Sequence, residues 1–136
     1  MNDMNYDYER IFDKFHPVIR GTLMGPIKYQ ELTMMVDTGF EGYVLIPSRL
    51  YEKLGFRKYE HSALEFPIIE TVNGMIMKMR SAPAKLCIGK LHIDIDVWTM
   101  PECNEILLGL KVLDELKVKL NGPEKVLEIL NSKTKR

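Results

Sequence analysis

The sequence has little of what marks a secreted, disulfide-stabilised or membrane-spanning protein. Its 136 residues include two cysteines, Cys87 and Cys103, which lack the spacing of a metal-binding or redox pair. It contains no run of 18 apolar residues, and its first residues lack the basic and apolar blocks of a secretory signal. We therefore expect reduced thiols, no membrane contact and a cytoplasmic location.

An excess of charge of either sign is also missing. Lysine plus arginine number 19, and aspartate plus glutamate number 19, so the formal net charge is zero. Because binding to nucleic acid usually needs a surplus of cations, we expect no nucleic-acid partner. The C-terminal segment "SKTKR" is basic, and we expect it to be a frayed tail. These features predict an N-terminal extension at 1–15, a folded domain at 16–130 and a basic tail at 131–136.

Short apolar runs separated by turn signals make up most of the chain. Asn73-Gly74 is the strongest hairpin signal, and Gly25-Pro26 and Gly89-Lys90 predict two further turns. Helical spacing predicts short helices in "PSRLYEKLGF" and after Gly109, and it allows another in "YERIFDKF" at 8–15. The pattern predicts a mainly β domain, either closed or sandwich-like, with a core that needs no disulfide or metal.

The stretch "LTMMVDTGFEGYVLIP", residues 32 to 47, places Asp37 between two apolar runs. One interpretation is an Asx-type turn, in which the Asp37 side chain accepts a hydrogen bond from the backbone two residues on. The other is a carboxylic acid held in a low-dielectric site for catalysis. A second apolar run that ends in glycine, "ILLG" at 106–109, leads into a segment with helical spacing.

Together, "VDTG" at 36–39, "ILLGLKVL" at 106–113 and the hairpin between them resemble the retroviral-type, or retropepsin-like, aspartic proteases. The resemblance is strongest to the small single-domain prokaryotic members, and it covers about residues 17–130. It implies a closed, acid-protease-like β barrel with one or two short helices and one Asp-Thr-Gly per chain. It also implies an enzyme that needs no cofactor and no metal.

Peptide hydrolysis by carboxylates requires two acids that share one proton. The chain has a single Asp-Thr-Gly, and Asp94, Asp96 and Asp114 lie in patterns of a different kind. One copy can therefore supply both acids only across a two-fold axis. The resemblance thus implies a homodimeric aspartic endopeptidase that hydrolyses a polypeptide substrate with water activated between two Asp37 residues.

The resemblance also implies roles for the residues around these motifs. Thr38 would form hydrogen bonds across the dimer, and Gly39 would let the substrate backbone approach Asp37. The hairpin would close over the peptide. The residues expected to bind substrate are Phe40, Glu41, Val72, Asn73 and Gly74, and those expected to support the site are Ile106, Leu107, Leu108 and Gly109.

Two positions depart from the family pattern. Phe40 stands where many relatives have serine or alanine, and Leu110 stands where retroviral enzymes have arginine. These departures leave open a non-catalytic dimeric module that binds a peptide or protein on the same fold. A third interpretation is a β barrel unrelated to proteases, in which Asp37 is only a turn residue.

One further cluster could in principle bind a metal. His92, Asp94 and Asp96 share one face of a strictly alternating strand. Alternation alone places them there, and we expect an exposed polar face rather than a metal site.

Overall fold

The computed structural model describes residues 4–130, about half of which lie in β-strands. The strands of this part of the chain are β1 (Met4–Asp7), β2 (Glu9–Ile11), β3 (Lys14–His16), β4 (Val18–Met24), β5 (Tyr29–Val36), β6 (Val44–Leu45), β7 (Ile68–Glu70), β8 (Ile76–Lys78), β9 (Arg80–Ile88), β10 (Leu91–Thr99), β11 (Leu107–Leu108), β12 (Lys117–Asn121) and β13 (Val126–Leu130). The helices are α1 (Ser48–Lys53) and α2 (Leu110–Leu113), with 3₁₀ turns at Phe56–Tyr59 and Ala63–Glu65. The predicted basic tail at 131–136 lies outside the described residues.

Six strands close into a barrel in the order β10-β6-β11-β5-β4-β9. The turn between β4 and β5 is stabilised by the Gly25 amide, which donates to the Lys28 carbonyl over 2.8 Å. The turn between β9 and β10 contains Gly89 with a φ of 59°, a conformation that glycine adopts without steric cost. The predicted closed, mainly β fold with two short helices is confirmed.

The alternation read in β10 corresponds to the two faces of the barrel wall. Ile95 and Val97 are buried, whereas His92 and Asp94 are exposed. Inward-facing side chains from the other barrel strands join them in one core, whose burial supplies most of the stabilisation. Its largest fully buried members are Tyr51, Phe56, Ile19, Leu23, Met34, Ile46, Leu54, Leu86, Ile88, Leu108 and Leu127.

Both helices are short and begin where the sequence predicts, and α1 also ends there. In α1, Pro47 precedes the first helical residue, and Gly55 follows the helix with a φ of 88°. In α2, Gly109 precedes Leu110. Among the residues described, no helix has the length and apolar character needed to cross a membrane.

The prediction of a possible helix at 8–15 is wrong, because this region forms β2 and β3. Phe12 is 73% exposed and Phe15 is 49% exposed, so the helical spacing does not mark a buried face. Upstream, β1 pairs with β13, which also pairs with β12, and the three strands form a sheet separate from the barrel strand order. At 8–15, a local hairpin, in which β2 pairs antiparallel with β3, replaces the helix that the spacing allowed. The domain boundary at residue 16 stays a prediction.

The second helix is shorter than its spacing predicted. Leu110, Leu113 and Leu116 fit a helical face, but α2 ends at Leu113 and β12 follows at Lys117–Asn121. Downstream, Val126–Leu130 forms β13, which pairs antiparallel with β12. Strand pairing with β13 supplies hydrogen bonds that a longer isolated helix would have to make alone.

Candidate active site

Strand β11 lies between the two strands that flank Asp37. It runs parallel to β5, with Leu108 opposite Val36, and antiparallel to β6, with Leu108 opposite Val44. Leu108 and Val44 are fully buried. The loop from Asp37 to Tyr43, called the Asp37 loop below, therefore begins and ends beside the same short buried strand.

Backbone hydrogen bonds attach the Asp37 loop to β11 and α2. The Asp37 amide donates to the Leu108 carbonyl over 3.0 Å, and the Gly109 amide donates to the Tyr43 carbonyl over 2.8 Å. The Leu110 amide donates to the Phe40 carbonyl over 2.9 Å. The apolar-apolar-glycine motif thus holds the loop at both ends, and a segment distant in sequence sets its shape.

Residue 109 must be glycine because there is no room for a side chain, and not because of its backbone angle. Its φ is −103°, which any residue can adopt. A Cβ atom at this position would collide with the Gly42 carbonyl oxygen and would lie 2.6 Å from the Phe40 carbonyl oxygen. The close approach of these two backbones is therefore possible only without a side chain at residue 109.

The Asp37 carboxylate is half-buried, whereas Thr38 and Gly39 are exposed. Its Oδ1 atom accepts a hydrogen bond of 2.8 Å from the Gly39 amide. This is the Asx-type turn considered from the sequence, and it occupies one carboxylate oxygen. A side chain at residue 39 would lie 3.2 Å from Oδ1, so glycine leaves the carboxylate accessible. The turn and a catalytic role are therefore compatible.

The Phe40 side chain packs against the protein and is only partly exposed to solvent. Its ring is half-buried and contacts Trp98 edge-on, with ring centroids 5.3 Å apart. It packs against a small apolar cluster, called the second cluster below, whose buried members are Leu45, Met79, Cys103 and Leu107. Glu41 is exposed. Contact of Phe40 and Glu41 with substrate stays a prediction.

The second cluster also includes the base of the hairpin formed by β7 and β8. Ile69 and Met79 pack in it beside Phe40, so the hairpin base and the Asp37 loop share one apolar contact region. The hairpin tip, by contrast, is exposed at Val72, Asn73 and Gly74. The fold therefore brings the three sequence motifs together: loop, β11 and hairpin.

Sequence reasoning missed three residues in and around these motifs. Gly42 faces Gly109, Trp98 contacts Phe40, and His61 forms a hydrogen bond with Asp96. Trp98 is the only tryptophan, and the alternation of β10 places it on the polar face with Asp96. A large aromatic residue on that face was the available signal.

The polar face of β10 holds no cluster of ligands. Within residues 4–130, no three histidine, cysteine, aspartate or glutamate side chains gather as a cation site. Instead, the three side chains of the considered trio contact different groups: His92 lies 3.2 Å from Cys87, Asp94 3.5 Å from Lys85, and Asp96 2.8 Å from His61.

We expect Phe40→Ala to lower the free energy of unfolding by about 1–3 kcal/mol, because it removes a half-buried ring from the second cluster. Urea unfolding followed by circular dichroism measures the change. Phe12→Ala is the control, since Phe12 is exposed, and it should change stability by less than about 0.5 kcal/mol. Equal stability losses in the two variants would contradict the packing described for Phe40.

Comparisons with known proteins agree with this geometry. A family model described as "gag-polyprotein putative aspartyl protease" matches residues 23–115. The fold is similar to that of the EIAV protease complexed with the inhibitor HBY-793, at 20% identity and a TM-score of 0.55, covering 74% of this chain and 86% of that one. It is also similar to a retropepsin-like aspartic protease from Rickettsia conorii, at 18% identity and a TM-score of 0.57, covering 94% of this chain and 91% of that one. No curated protein matches the chain.

Proposed function

The chain belongs to the gag-polyprotein aspartyl protease family, and we propose from this that it is an aspartic endopeptidase acting as a homodimer. The observation that carries the proposal is the Asp37 loop. It presents half-buried Asp37 immediately before exposed Thr38 and Gly39, and β11 forms hydrogen bonds with its backbone. Such a site suits a water-activating acid, since its carboxylate is both fixed and accessible.

In the proposed reaction, one Asp37 is ionised and the Asp37 of the second copy is protonated. The ionised carboxylate takes a proton from a water molecule as the water oxygen attacks the peptide carbonyl carbon. The protonated acid donates its proton to the carbonyl oxygen. Proton transfer to the leaving nitrogen then completes cleavage. Two carboxylates at close range share one proton because ionising both is costly.

The requirement for a second copy follows from where the other aspartates lie. Among the described residues they occupy β1, the turn between β2 and β3, β10 and the end of α2. Asp96 bonds His61 and Asp94 contacts Lys85, so both have partners of their own. The second acid is therefore proposed to be Asp37 of another copy, with Thr38 forming hydrogen bonds across the two-fold axis.

The hairpin is proposed to close over the substrate. Its exposed apolar side chains are Ile68, Val72, Met75 and Ile76. Exposed apolar patches of this kind often mark sites that bind another polypeptide. Val72, Asn73 and Gly74 at the tip would exclude water from the peptide bond during hydrolysis.

The test is cleavage of reduced, alkylated serum albumin between pH 3 and 7, with and without pepstatin. We expect cleavage that pepstatin blocks. Cleavage that persists unchanged with pepstatin and in Asp37→Asn would refute the proposal. A dimeric protein with no cleavage would favour the second candidate, a peptide-binding module, which is motivated by Leu110 at the position where retroviral enzymes have arginine.

A shared site makes activity depend on protein concentration. We expect the specific activity to fall on dilution, because dimers dissociate by mass action and each monomer carries half of the site. Sedimentation velocity and peptidase assays over the same dilution series measure both quantities. Constant specific activity at concentrations where the chain is monomeric would contradict the dimeric site.

Gly74→Ala should slow turnover and lower the free energy of unfolding by at most about 1–2 kcal/mol, the cost of alanine at a positive φ. Gly74 has a φ of 82°, and a side chain there would meet no atom within 4 Å. Alanine in this left-handed conformation costs about 1–2 kcal/mol, so we expect kcat/KM to fall about 5-fold or more. Gly122→Ala, which adds a methyl group in open space at a turn outside the hairpin, is the control. Equal kcat/KM for the two variants would count against a role for the tip conformation.

A further inference from the structure

His61 connects the base of the hairpin to the barrel wall. Its Nε2 atom lies 2.8 Å from Asp96 Oδ1 on β10, and its Nδ1 atom lies 3.9 Å from Glu65 Oε1, just before the hairpin. Its backbone amide donates to the Ser81 carbonyl on β9 over 3.0 Å. One residue thus contacts β9, which leaves the hairpin, the turn that leads into the hairpin, and β10, the strand paired with β9.

The same region is tied to β9 by two further contacts. Arg80 Nη2 lies 2.7 Å from Glu60 Oε2, and the Met79 amide donates to the Pro67 carbonyl over 2.8 Å. These contacts join the two ends of the segment 60–80 to each other. Backbone pairing already joins β9 to β10, with Arg80 opposite Thr99, and the His61 side chain adds a contact to β10 from the part of the segment that precedes the hairpin. The charged groups near His61 are thus Asp96, Glu65 and the Glu60–Arg80 pair beside it.

Strand β10 also supports the Asp37 loop. Asp96 and Trp98 lie on the same face of β10, two residues apart, and Trp98 contacts Phe40 edge-on. A cleft of about 450 Å³ opens between the hairpin base and this face of β10. It is lined by His61, Glu65, Pro67, Ser81, Asp96 and Trp98. One strand therefore holds the hairpin base through Asp96 and the loop through Trp98.

We propose that the contact between His61 and Asp96 is a clamp that sets the position of the hairpin relative to the Asp37 loop. His61 and Asp96 are then positioning residues, which act on the reaction through the hairpin. The catalytic consequence rests on the proposed peptidase function, whereas the effect on the hairpin does not. Because the clamp organises the binding surface and touches no reacting atom, its loss raises KM and leaves kcat nearly unchanged.

Hydrogen–deuterium exchange of the hairpin amides at 68–78 tests the clamp directly. The side chains of His61 and Asp96 are 32% and 44% exposed. We therefore expect His61→Ala and Asp96→Ala to speed exchange by about 2- to 5-fold, the effect of a partly exposed pair. Asp94→Ala is the matched control, because Asp94 lies on the same face of the same strand with its side chain 89% exposed. It should exchange as the wild type does.

His61→Gln supplies the rescue, since its side-chain amide can donate to Asp96 as Nε2 does. We expect it to restore wild-type exchange and KM. Equal exchange in Asp94→Ala and Asp96→Ala, or faster exchange in His61→Gln than in the wild type, would overturn the clamp. Hydrogen–deuterium exchange tests the effect of the His61–Asp96 contact on the hairpin even if the protein cleaves no peptide. In an active enzyme, an equal fall in kcat and kcat/KM would overturn the positioning role.

Discussion

Asp37→Asn is expected to reduce kcat for peptide cleavage by about 10²- to 10⁴-fold, the usual contribution of a general acid–base group. Asparagine cannot take a proton from water in the way that a carboxylate does. The fold should persist, because the asparagine Oδ1 can accept the 2.8 Å hydrogen bond from the Gly39 amide in the same turn. Steady-state kinetics together with thermal unfolding separate loss of chemistry from loss of structure.

Asp94→Asn is the control for this substitution. Asp94 is exposed and contacts Lys85, so its variant should keep wild-type kinetics. Wild-type activity in Asp37→Asn would refute the assignment of the catalytic acid.

Mixing the two chains tests whether the site is shared. When equal amounts of wild-type and Asp37→Asn chains exchange freely, about one quarter of the dimers carry two intact acids. The activity should therefore be about one quarter of the activity of an all-wild-type sample at the same total chain concentration. Activity that stays proportional to the wild-type chain, however much of the variant is added, would show that each chain has a complete site.

Gly109→Ala is expected to lower the free energy of unfolding by about 1–3 kcal/mol or more, as overpacking of a tight backbone contact does. The new Cβ would lie 2.6 Å from the Phe40 carbonyl oxygen and would collide with that of Gly42. Backbone atoms cannot rotate away as a flexible side chain can. The substitution should therefore displace the Asp37 loop and reduce peptidase activity together with stability.

Gly122→Ala is the matched control for Gly109→Ala. A Cβ at residue 122 would meet no atom within 4 Å, so this substitution should change the free energy of unfolding by less than about 0.5 kcal/mol. Urea unfolding of the two variants under the same conditions gives the comparison. Similar midpoints would show that β11 and the loop do not approach as closely as described.

Much of the fold could be predicted because it depends on local patterns. Strict alternation in β10 and the glycine turns at 25–26, 73–74 and 89–90 correctly predicted strands and hairpins. The failures lie near the termini. The spacing at 8–15 fits a helix, but β2 and β3 form there, and α2 stops at Leu113 because β12 pairs with β13. Spacing alone does not distinguish a short helix from the local β2–β3 hairpin at 8–15, and it carries no information about the later strand that pairs with β12.

By itself, the sequence determined that the chain has one Asp-Thr-Gly, set between apolar runs, and the proposal of a second acid from another copy rests on that single motif. The tertiary structure alone decided how that motif is held. The structure places β11 between β5 and β6, Gly109 against Gly42, and His61 beside Asp96. Each of these contacts joins residues that are far apart in the chain. Such contacts depend on how packed surfaces fit after the barrel closes, which no local periodicity encodes.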